Sequence, residues 1–368
     1  MPHLSHRSIA NAPIAAQAAE TSAAKANSFH PGRRAALFGA VAAVGGLILP
    51  ARAATSLRVA YIPILAMAQL FVIVGEGWAA EAGLDLQLTR FSSGPAMVQA
   101  LPSGGYDIAY IGIGPAMVAR SSGVDLTVVA SNGMGQSSLI GLGAFAEGFN
   151  NARTPAEAFA AFHQQQGRPV RIATLPKGSV PDTVLQYYLT QVAKVPPETV
   201  QVLGVGEDRV QQMLLSGAAD AASVLEPILT IVMERVPSAR ILIGGGKMFP
   251  DQPGAVLAVS DATIRAHRAA VESLVALHVR ATKLIVNDPA RAAKTTGLLL
   301  GQGLVPEATL AKAFAAQTIP LDANPHKIIE ATKRLAEFQI SLGTLARAVP
   351  VAQLFDTSFF DALPVTQR

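Results

Sequence analysis

The stretch LRVAYIPILAMAQLFVIVGEGWAAEAGLDLQL, residues 57–88, decides the fold. Leu57–Tyr61 and Leu84–Leu88 are short β-rich runs that predict strands, and Ala68–Gly83 between them predicts a helix. The pattern continues with predicted helices at Ala96–Leu101 and Pro115–Ser121 and predicted strands at Asp107–Ile111 and Leu126–Ala130. Strands that alternate with helices in this way indicate βαβ units on a mostly parallel sheet.

A second set of the same kind begins after Arg153, where we expect Thr154 to cap a helix with Pro155 in its first turn. Its predicted elements are the strands Val170–Thr174, Val200–Leu203 and Ala219–Val224 and the helices Ser179–Val192, Glu207–Ser216 and Pro227–Arg235. One further strand, Ala255–Val259, precedes a helical C-terminal part. No sequence repeat of fixed period is found. The sequence therefore predicts two α/β lobes in series.

Two crossings between the lobes are predicted, at Phe145–Thr154 and at Gly244–Gly254. Both passages contain residues that tolerate changes of backbone conformation, and the second is rich in glycine and proline. The expected division assigns residues 54–145 and 253–368 to the first lobe and residues 146–252 to the second. The C-terminal helices are expected to cover the first lobe.

The first 53 residues are predicted to be an export signal. Arg33 and Arg34 precede an apolar run of about 15 residues that leads to Ala51-Arg52-Ala53. This run is too short to remain as a membrane-spanning helix, which needs about 20 residues. Its glycines favour the twin-arginine route. We therefore expect cleavage near Ala53 and a periplasmic mature protein.

Composition limits the classes of partner. Outside the first 53 residues, Lys and Arg equal Asp and Glu in number, so the net charge of +4 comes from the predicted leader and does not favour nucleic-acid binding. The chain has no cysteine, which excludes disulfides, thiolate metal sites and cysteine nucleophiles. The histidines outside the leader are scattered singly, so no metal or other cofactor is expected.

Ligands of a parallel α/β sheet bind at the carboxyl ends of its strands, where loops lead into helix N-termini. In this chain those loops place small hydroxyl residues or glycine at helix starts, often with proline beside them, as in Ser92-Ser93-Gly94-Pro95 and Gly178-Ser179-Val180-Pro181. Ordinary capping accounts for each loop alone. Together the loops predict a cleft for a small anion, held by N–H and hydroxyl donors and at most one cation such as Lys177.

Several segments carry a family resemblance: Leu70–Val72, Gly77–Asp85, Gly94–Leu101, Tyr106–Gly112 and Gly178–Leu185. Over most of residues 57–260 the chain resembles the periplasmic solute-binding proteins of nitrate, sulfonate and taurine ABC transporters. The resemblance implies a two-lobed periplasmic-binding-protein fold of type II, in which each lobe is a mostly parallel α/β sheet flanked by helices.

The resemblance also implies a function. The protein would be a monomer without a cofactor and without enzymatic activity, which closes on a small anionic solute such as an alkanesulfonate, taurine or nitrate. It would deliver the solute to the membrane permease and ATPase of an ABC importer. Carried over onto this sequence, the ligand contacts fall on Ala66, Met67, Gln69, Ser92, Ser93, Gly94, Gly112, Gly114, Pro115, Ser137, Ser138, Lys177, Gly178, Ser179, Val180 and Glu226. For Glu226, hinge support and simple helix capping are alternatives to ligand contact.

Two other functions stay open. One is a binder of a neutral pyrimidine precursor, and the other is a cofactor-free enzyme on the same scaffold. The enzymes that resemble this family use cysteine, which the chain lacks. Gly112-x-Gly114 and Gly244-Gly245-Gly246-Lys247 do not complete a dinucleotide-binding or phosphate-binding loop.

Overall fold

The computed structural model describes residues 54–297, 299–300, 305–316, 318 and 320–368. The predicted export signal, residues 1–53 with its arginine pair, lies outside the described residues. Within the described ranges, no helix combines the length and the apolar character that a membrane span requires.

The described residues form ten strands: β1 (Thr55–Tyr61), β2 (Leu84–Arg90), β3 (Ile108–Gly112), β4 (Leu126–Ser131), β5 (Ser138–Gly141), β6 (Val170–Thr174), β7 (Val200–Gly204), β8 (Ala221–Val224), β9 (Arg240–Ile243) and β10 (Ala255–Ser260). The helices before β9 are α1 (Ala68–Gly75), α2 (Trp78–Glu81), α3 (Gly94–Ala100), α4 (Ile113–Ser121), α5 (Gly143–Asn151), α6 (Pro155–Gln166), α7 (Val180–Tyr187), α8 (Glu207–Leu215) and α9 (Ile228–Arg235). Those after β9 are α10 (Gly245–Met248), α11 (Asp261–Ala266), α12 (Arg268–Asn287), α13 (Pro289–Thr296), α14 (Glu307–Ala315), α15 (Ile329–Ser341), α16 (Val351–Leu354) and α17 (Ser358–Asp361).

The strands form two five-stranded sheets, in the orders β2-β1-β3-β10-β4 and β7-β6-β8-β5-β9. We call the first sheet and the helices packed on it lobe I, and the second sheet with its helices lobe II. In lobe I, β1 is parallel to β2 and β3, and only β10 runs against its neighbours. In lobe II, β6 is parallel to β7 and β8, and only β5 runs against its neighbours. The predicted pair of mostly parallel sheets is confirmed.

The two sheets repeat one arrangement, including an Arg–Asp pair that joins β1 to the residue before β3 in lobe I and β6 to the residue before β8 in lobe II. Asp107 Oδ2 accepts the backbone N–H of Arg58 (2.8 Å) and its Nε (2.9 Å). Asp220 Oδ2 accepts the backbone N–H of Arg171 (2.9 Å) and its Nε (3.2 Å). Both pairs are separated by 49 residues. The repeat lies in the strand order and in this Arg–Asp pair. It was not predicted because the side chains between the arginine and the aspartate differ between the lobes.

The structure corrects the position of the first crossing. Because β5 lies inside the second sheet, the chain changes sheets at residues 132–137, and not at the predicted Phe145–Thr154. The predicted passage instead contains the end of α5 and the start of α6. β5 has only four residues, too few to show a clear strand period. The predicted return crossing at Gly244–Gly254 does connect β9 with β10.

Capping residues set the starts of several helices. Thr154 Oγ1 accepts the N–H of Glu157 (3.2 Å) at the start of α6, which confirms the predicted cap. Ser93 Oγ accepts the N–H of Ala96 (3.3 Å) at α3, and Ser179 Oγ accepts the N–H of Asp182 (3.3 Å) at α7. The short side chains thereby satisfy donors that a helix leaves free in its first turn.

The C-terminal helices pack on lobe I, as expected, and also contact lobe II. α12 packs on α1, and α15 packs on α4 as well as on α7 of lobe II. At α9 of lobe II, Glu234 accepts hydrogen bonds from Thr309 Oγ1 (2.8 Å) and Lys312 Nζ (2.6 Å) of α14. These helices therefore bridge the lobes beside the two crossings.

Candidate functional site

A small cavity lies where the carboxyl ends of strands from both sheets meet. It is lined by Ile62, Ile64, Ala66, Met67, Gly94, Gly112, Pro115, Gln136, Ser137, Leu175, Ser179, Val180, Pro181, Leu225, Gly254 and Ala255. The lining comes from loops after β1, β2, β3, β6 and β8 and from both crossings. Its volume is about 30 Å³, and one water molecule needs about 10–15 Å³ by a comparable measure. The site therefore suits a solute of few atoms.

The structure brings half of the sequence-predicted site residues together at this cavity: Ala66, Met67, Gly94, Gly112, Pro115, Ser137, Ser179 and Val180. They are far apart in the sequence and belong to both lobes and to the first crossing. They meet because parallel strands place the loops that follow them at one edge of each sheet, and the two edges face each other. Their contact with a ligand stays a prediction.

Three predicted residues are buried elsewhere or face away. Gln69 is buried in α1, where its Nε2 donates to Asn132 O (2.9 Å) and Thr282 Oγ1 (3.3 Å). Gly114 lies within α4, where an added Cβ would be 3.0 Å from Gln339 Nε2. Ser138 lines an open groove behind the crossings, which we call the rear groove. Ser137 is the last residue of the first crossing and Ser138 the first residue of β5, and the two line different surfaces.

Four more predicted residues shape or flank the loops and do not line the cavity. Ser92 and Lys177 are exposed, and Ser93 is the cap of α3. Gly178 donates its N–H to Asp182 Oδ2 (2.9 Å) and has φ of +86°, a conformation that favours glycine. The single cation considered in the sequence analysis, Lys177, is therefore not part of the cavity wall.

Glu226 lies directly behind the cavity, next to Leu225. Its Oε1 accepts from Thr318 Oγ1 (2.7 Å), and its Oε2 accepts the N–H of Thr230 (2.9 Å) in α9. Its backbone oxygen accepts the N–H of Leu65 (3.1 Å) from lobe I. Burial raises the pKa of the Glu226 carboxyl, and the hydrogen bonds from Thr318 and Thr230 act in the opposite direction. The geometry supports the capping and hinge interpretations of this residue.

Polar groups without protein partners mark one part of the cavity. Gln136 Nε2 and Ser137 Oγ are buried and have no hydrogen-bond partner among the described residues. Ser179 Oγ already accepts from Asp182, so its O–H remains able to donate. A buried donor without an acceptor costs about 1–3 kcal/mol. These three side chains therefore favour a solute or water that accepts hydrogen bonds.

The rest of the cavity is apolar and uncharged. Ile62, Ile64 and Met67 line it from lobe I, and Leu175 and Leu225 from lobe II. No charged side chain belongs to the lining as the described residues form it. The helices α4 and α7 begin at the cavity, and their dipoles place partial positive charge at these ends. The cavity thus combines hydrogen-bond donors with an apolar wall.

The lobes also touch at the cavity. An added Cβ on Gly112 of lobe I would lie 2.9 Å from Val180 Cγ2 of lobe II. Gly112 has φ of −67°, so its backbone does not require glycine. What requires a small residue here is the approach of the opposite lobe.

Sequence reasoning missed about half of the lining. The missed residues include Ile62, Ile64, Leu175, Pro181 and Leu225, which stand within four residues of predicted site residues but have no polar side chain to mark them as ligand contacts. Gln136 had no such signal, because the crossing that contains it was placed elsewhere. Gly254 and Ala255 enter the lining because the return crossing runs beside the first one, with Met134 paired to Pro253.

A model of the NMT1-like family matches residues 51–300, and the chain belongs to that family. A curated relative from Brucella abortus, named as a binding protein, is 26% identical over 220 residues, which cover 59% of this chain. The chain spans 63% of the length of that relative.

Solved structures show the same fold. The periplasmic nitrate-binding protein NrtA from Synechocystis PCC 6803 superposes with a TM-score of 0.70 at 15% identity, covering 85% of this chain and 91% of that one. The alkanesulfonate-binding protein SsuA from Xanthomonas axonopodis pv. citri, bound to MOPS, gives 0.64 at 19% identity and covers 83% and 99%. The predicted two-lobed periplasmic-binding-protein fold is confirmed.

Proposed function

We propose that the protein is the solute-binding component of an ABC importer and that it captures a short alkanesulfonate between its lobes. The observation that carries the proposal is the cavity at the carboxyl ends of both sheets, with donors from Gln136, Ser137 and Ser179 and an apolar wall. A sulfonate group presents three acceptor oxygens with one negative charge, and a short alkyl group suits the apolar wall. The starts of α4 and α7 favour that charge.

The same features rank the small oxyanions. Nitrate would leave the apolar wall formed by Ile62, Ile64 and Met67 without a hydrophobic partner. Taurine carries an ammonium group, which is costly to bury without an acidic partner. Glu226, which lies behind Leu225, is already bonded to Thr318 and Thr230. Methanesulfonate and ethanesulfonate are therefore expected to bind more tightly than either.

Binding without catalysis is the mode that we propose. A serine nucleophile needs an adjacent base, and the cavity wall formed by the described residues holds no His, Asp or Glu beside Ser137 or Ser179. Hinge closure would bring the donors of both lobes and of the crossings onto one solute and shift the population toward the closed state.

The test is a thermal-shift series on the chain without residues 1–53. The probes are methanesulfonate, ethanesulfonate, taurine, nitrate and a pyrimidine precursor. A ligand at 100 times its Kd adds about 2.7 kcal/mol of apparent stability, so the two short sulfonates should raise Tm most. Stabilisation by the pyrimidine precursor alone would replace the proposed function with the neutral-solute alternative. Turnover of any bound probe would replace it with the enzymatic one.

Location and partners belong to the same proposal. The protein would be exported through the twin-arginine route, be cleaved near Ala53, act as a monomer in the periplasm and hand its solute to a permease driven by an ATPase. Replacement of both Arg33 and Arg34 by lysine should leave unprocessed precursor in the cytoplasm. Processing at the normal rate in that variant would exclude the twin-arginine route.

A further inference from the structure

A buried glutamine outside the cavity wall fixes the backbone of Ser137. Gln252, in the return crossing, is 1% exposed. Its Oε1 accepts the N–H of Ser137 (2.8 Å), and its Nε2 donates to Ser137 O (3.1 Å) and to Gly245 O (3.0 Å). The amide of Gln252 thus forms hydrogen bonds with both the backbone N–H and the backbone C=O of Ser137.

A second glutamine makes the reciprocal connection. Gln136, in the first crossing, accepts the N–H of Ala255 (3.0 Å) at the start of β10 through its Oε1. Backbone bonds reinforce the pairing, since Gly135 N–H donates to Gln252 O (2.7 Å) and Gly254 N–H donates to Gly133 O (3.2 Å). The two crossings are therefore hydrogen-bonded to each other over residues 133–137 and 252–255.

We propose that Gln252 is the positioning residue of the binding site: by holding Ser137 from behind, it presents the Ser137 hydroxyl to the solute in the cavity. The inference rests on the proposed function, because it takes Ser137 as a ligand contact. Gln252 lines the rear groove, and Ser137 lines the cavity on the other side. Gln252 is not part of the cavity lining, and its side chain reaches the cavity wall through its two bonds to Ser137.

The bonding pattern explains why the residue is glutamine. The position needs one acceptor for Ser137 N–H and two donors for the oxygens of Ser137 and Gly245, and a primary amide supplies this set. Ionised glutamate has acceptors only and would face two carbonyl oxygens. Methionine fills a similar space and makes none of the three bonds. Protonated glutamic acid keeps an acceptor for Ser137 N–H and regains one donor.

The test uses this last property. Burial raises the pKa of a carboxyl group, so Gln252→Glu should be ionised at pH 8 and protonated at pH 5. We expect its affinity for methanesulfonate to fall at least tenfold below that of the wild type at pH 8 and to return to within threefold at pH 5. The charged groups around the position are Lys247, Asp251 with its partner Arg334, and Glu226 beyond Thr318. The wild type, measured over the same range by titration calorimetry, accounts for their titration.

The matched control is Gln164→Glu, the same change at an exposed site on α6, which should leave the affinity unchanged at both pH values. Gln252→Met should weaken binding at both pH values without recovery. The inference is overturned if Gln252→Glu binds like the wild type at pH 8, or if its loss persists at pH 5. Failure of the wild type to bind any sulfonate would instead count against the proposed function.

A measurement on the unsubstituted chain covers the case in which neither Gln252 variant folds. The Ser137 amide should exchange at least a hundredfold more slowly than an unprotected amide, because Gln252 Oε1 accepts its hydrogen. Exchange at the unprotected rate would overturn the inference without any ligand.

Discussion

Lobe I and lobe II share one plan at the amino ends of their strands and differ at the cleft. In each lobe an aspartate directly before one strand, β3 or β8, bonds an arginine of the neighbouring strand, β1 or β6: Asp107 bonds Arg58, and Asp220 bonds Arg171. At the same distance after each arginine stand Ala66 in lobe I and Ser179 in lobe II, and both line the cavity. The two lobes therefore present different chemistry to the solute from equivalent positions.

A second equivalent pair shows the same contrast. At the same distance after each aspartate, lobe I has Gly112 and lobe II has Leu225, and both line the cavity. At the amino ends of the strands both lobes keep the same Arg–Asp pair, because the pair connects neighbouring strands in each sheet. At the carboxyl ends the residues differ with the shape and polarity of the cavity that they line. The comparison teaches that the site is to be sought where two otherwise equivalent lobes diverge.

The largest effect is expected from filling the space at Gly112. In Gly112→Ala the new Cβ would lie 2.9 Å from Val180 Cγ2 of the other lobe, so the clash falls between the lobes and each lobe should keep its stability. Overpacking of this kind costs about 2–3 kcal/mol, or roughly 30- to 150-fold in affinity. Titration calorimetry with methanesulfonate measures the loss. The double variant Gly112→Ala/Val180→Ala should recover most of it, and a double variant as weak as the single one would contradict the contact.

Next in size is the difference between the two aspartates. Asp220 accepts from Arg168 (2.6 Å) as well as from Arg171, and it is 12% exposed against 20% for Asp107. We expect Asp220→Asn to lower the free energy of unfolding by about 2 kcal/mol and Asp107→Asn by about 1 kcal/mol. Urea denaturation measures both. Equal losses would mean that Arg168 adds nothing to the anchor in lobe II.

Replacement of the hydroxyl at Ser179 tests the contrast with Ala66. Ser179→Ala makes lobe II resemble lobe I at this position and removes one donor from the cavity. Binding of methanesulfonate should weaken by about 1–2 kcal/mol, and the free energy of unfolding should fall by about 0.5–2 kcal/mol because the cap of α7 is lost. Calorimetry and urea denaturation separate the two effects. Loss of stability with unchanged affinity would leave Ser179 as a cap only.

A further effect is confined to acid pH. Burial raises the pKa of Asp220, but the hydrogen bonds from Arg168 and Arg171 outweigh it and bring the value to about 2. The unfolded value is about 3.9. The stabilisation from Asp220 is therefore complete above about pH 4 and is lost as the pH falls through about 2. Asp220→Asn should flatten this part of the stability curve, measured by urea midpoints between pH 5 and 2. A curve parallel to that of the wild type would exclude this linkage.

The sequence predicted the strands that carry a local signal. β6, with Val170 and Ile172 buried, has the predicted bounds, and the other parallel strands differ from their predicted bounds by at most two residues. β5 and β9 were missed. Each has only four residues, and β5 is stabilised by β8 and β9 on either side, which are distant in sequence. Short strands of this kind depend on their partners more than on their own pattern.

The residues of the candidate site also divide into those with a local sequence signal and those placed by distant contacts. Ser179 and Gly112 were found because helix caps and strand ends have a recognisable sequence. Ser137 and Ser138 were predicted alike, although Ser137, at the end of the first crossing, lines the cavity and Ser138, at the start of β5, lines the rear groove. Gln136 and Gln252 carry no motif, and their roles depend on bonds to the other crossing.

By itself the sequence determined the two α/β lobes, the helix starts that face the cleft and the loops from which a site could be built, because periodicity and capping act over a few residues. The tertiary structure decided where the chain changes sheets, which of two adjacent serines meets the solute, and why Gly112 must be small. These features depend on atoms that approach from the other lobe or the other crossing. Their positions follow from the packing of the whole chain.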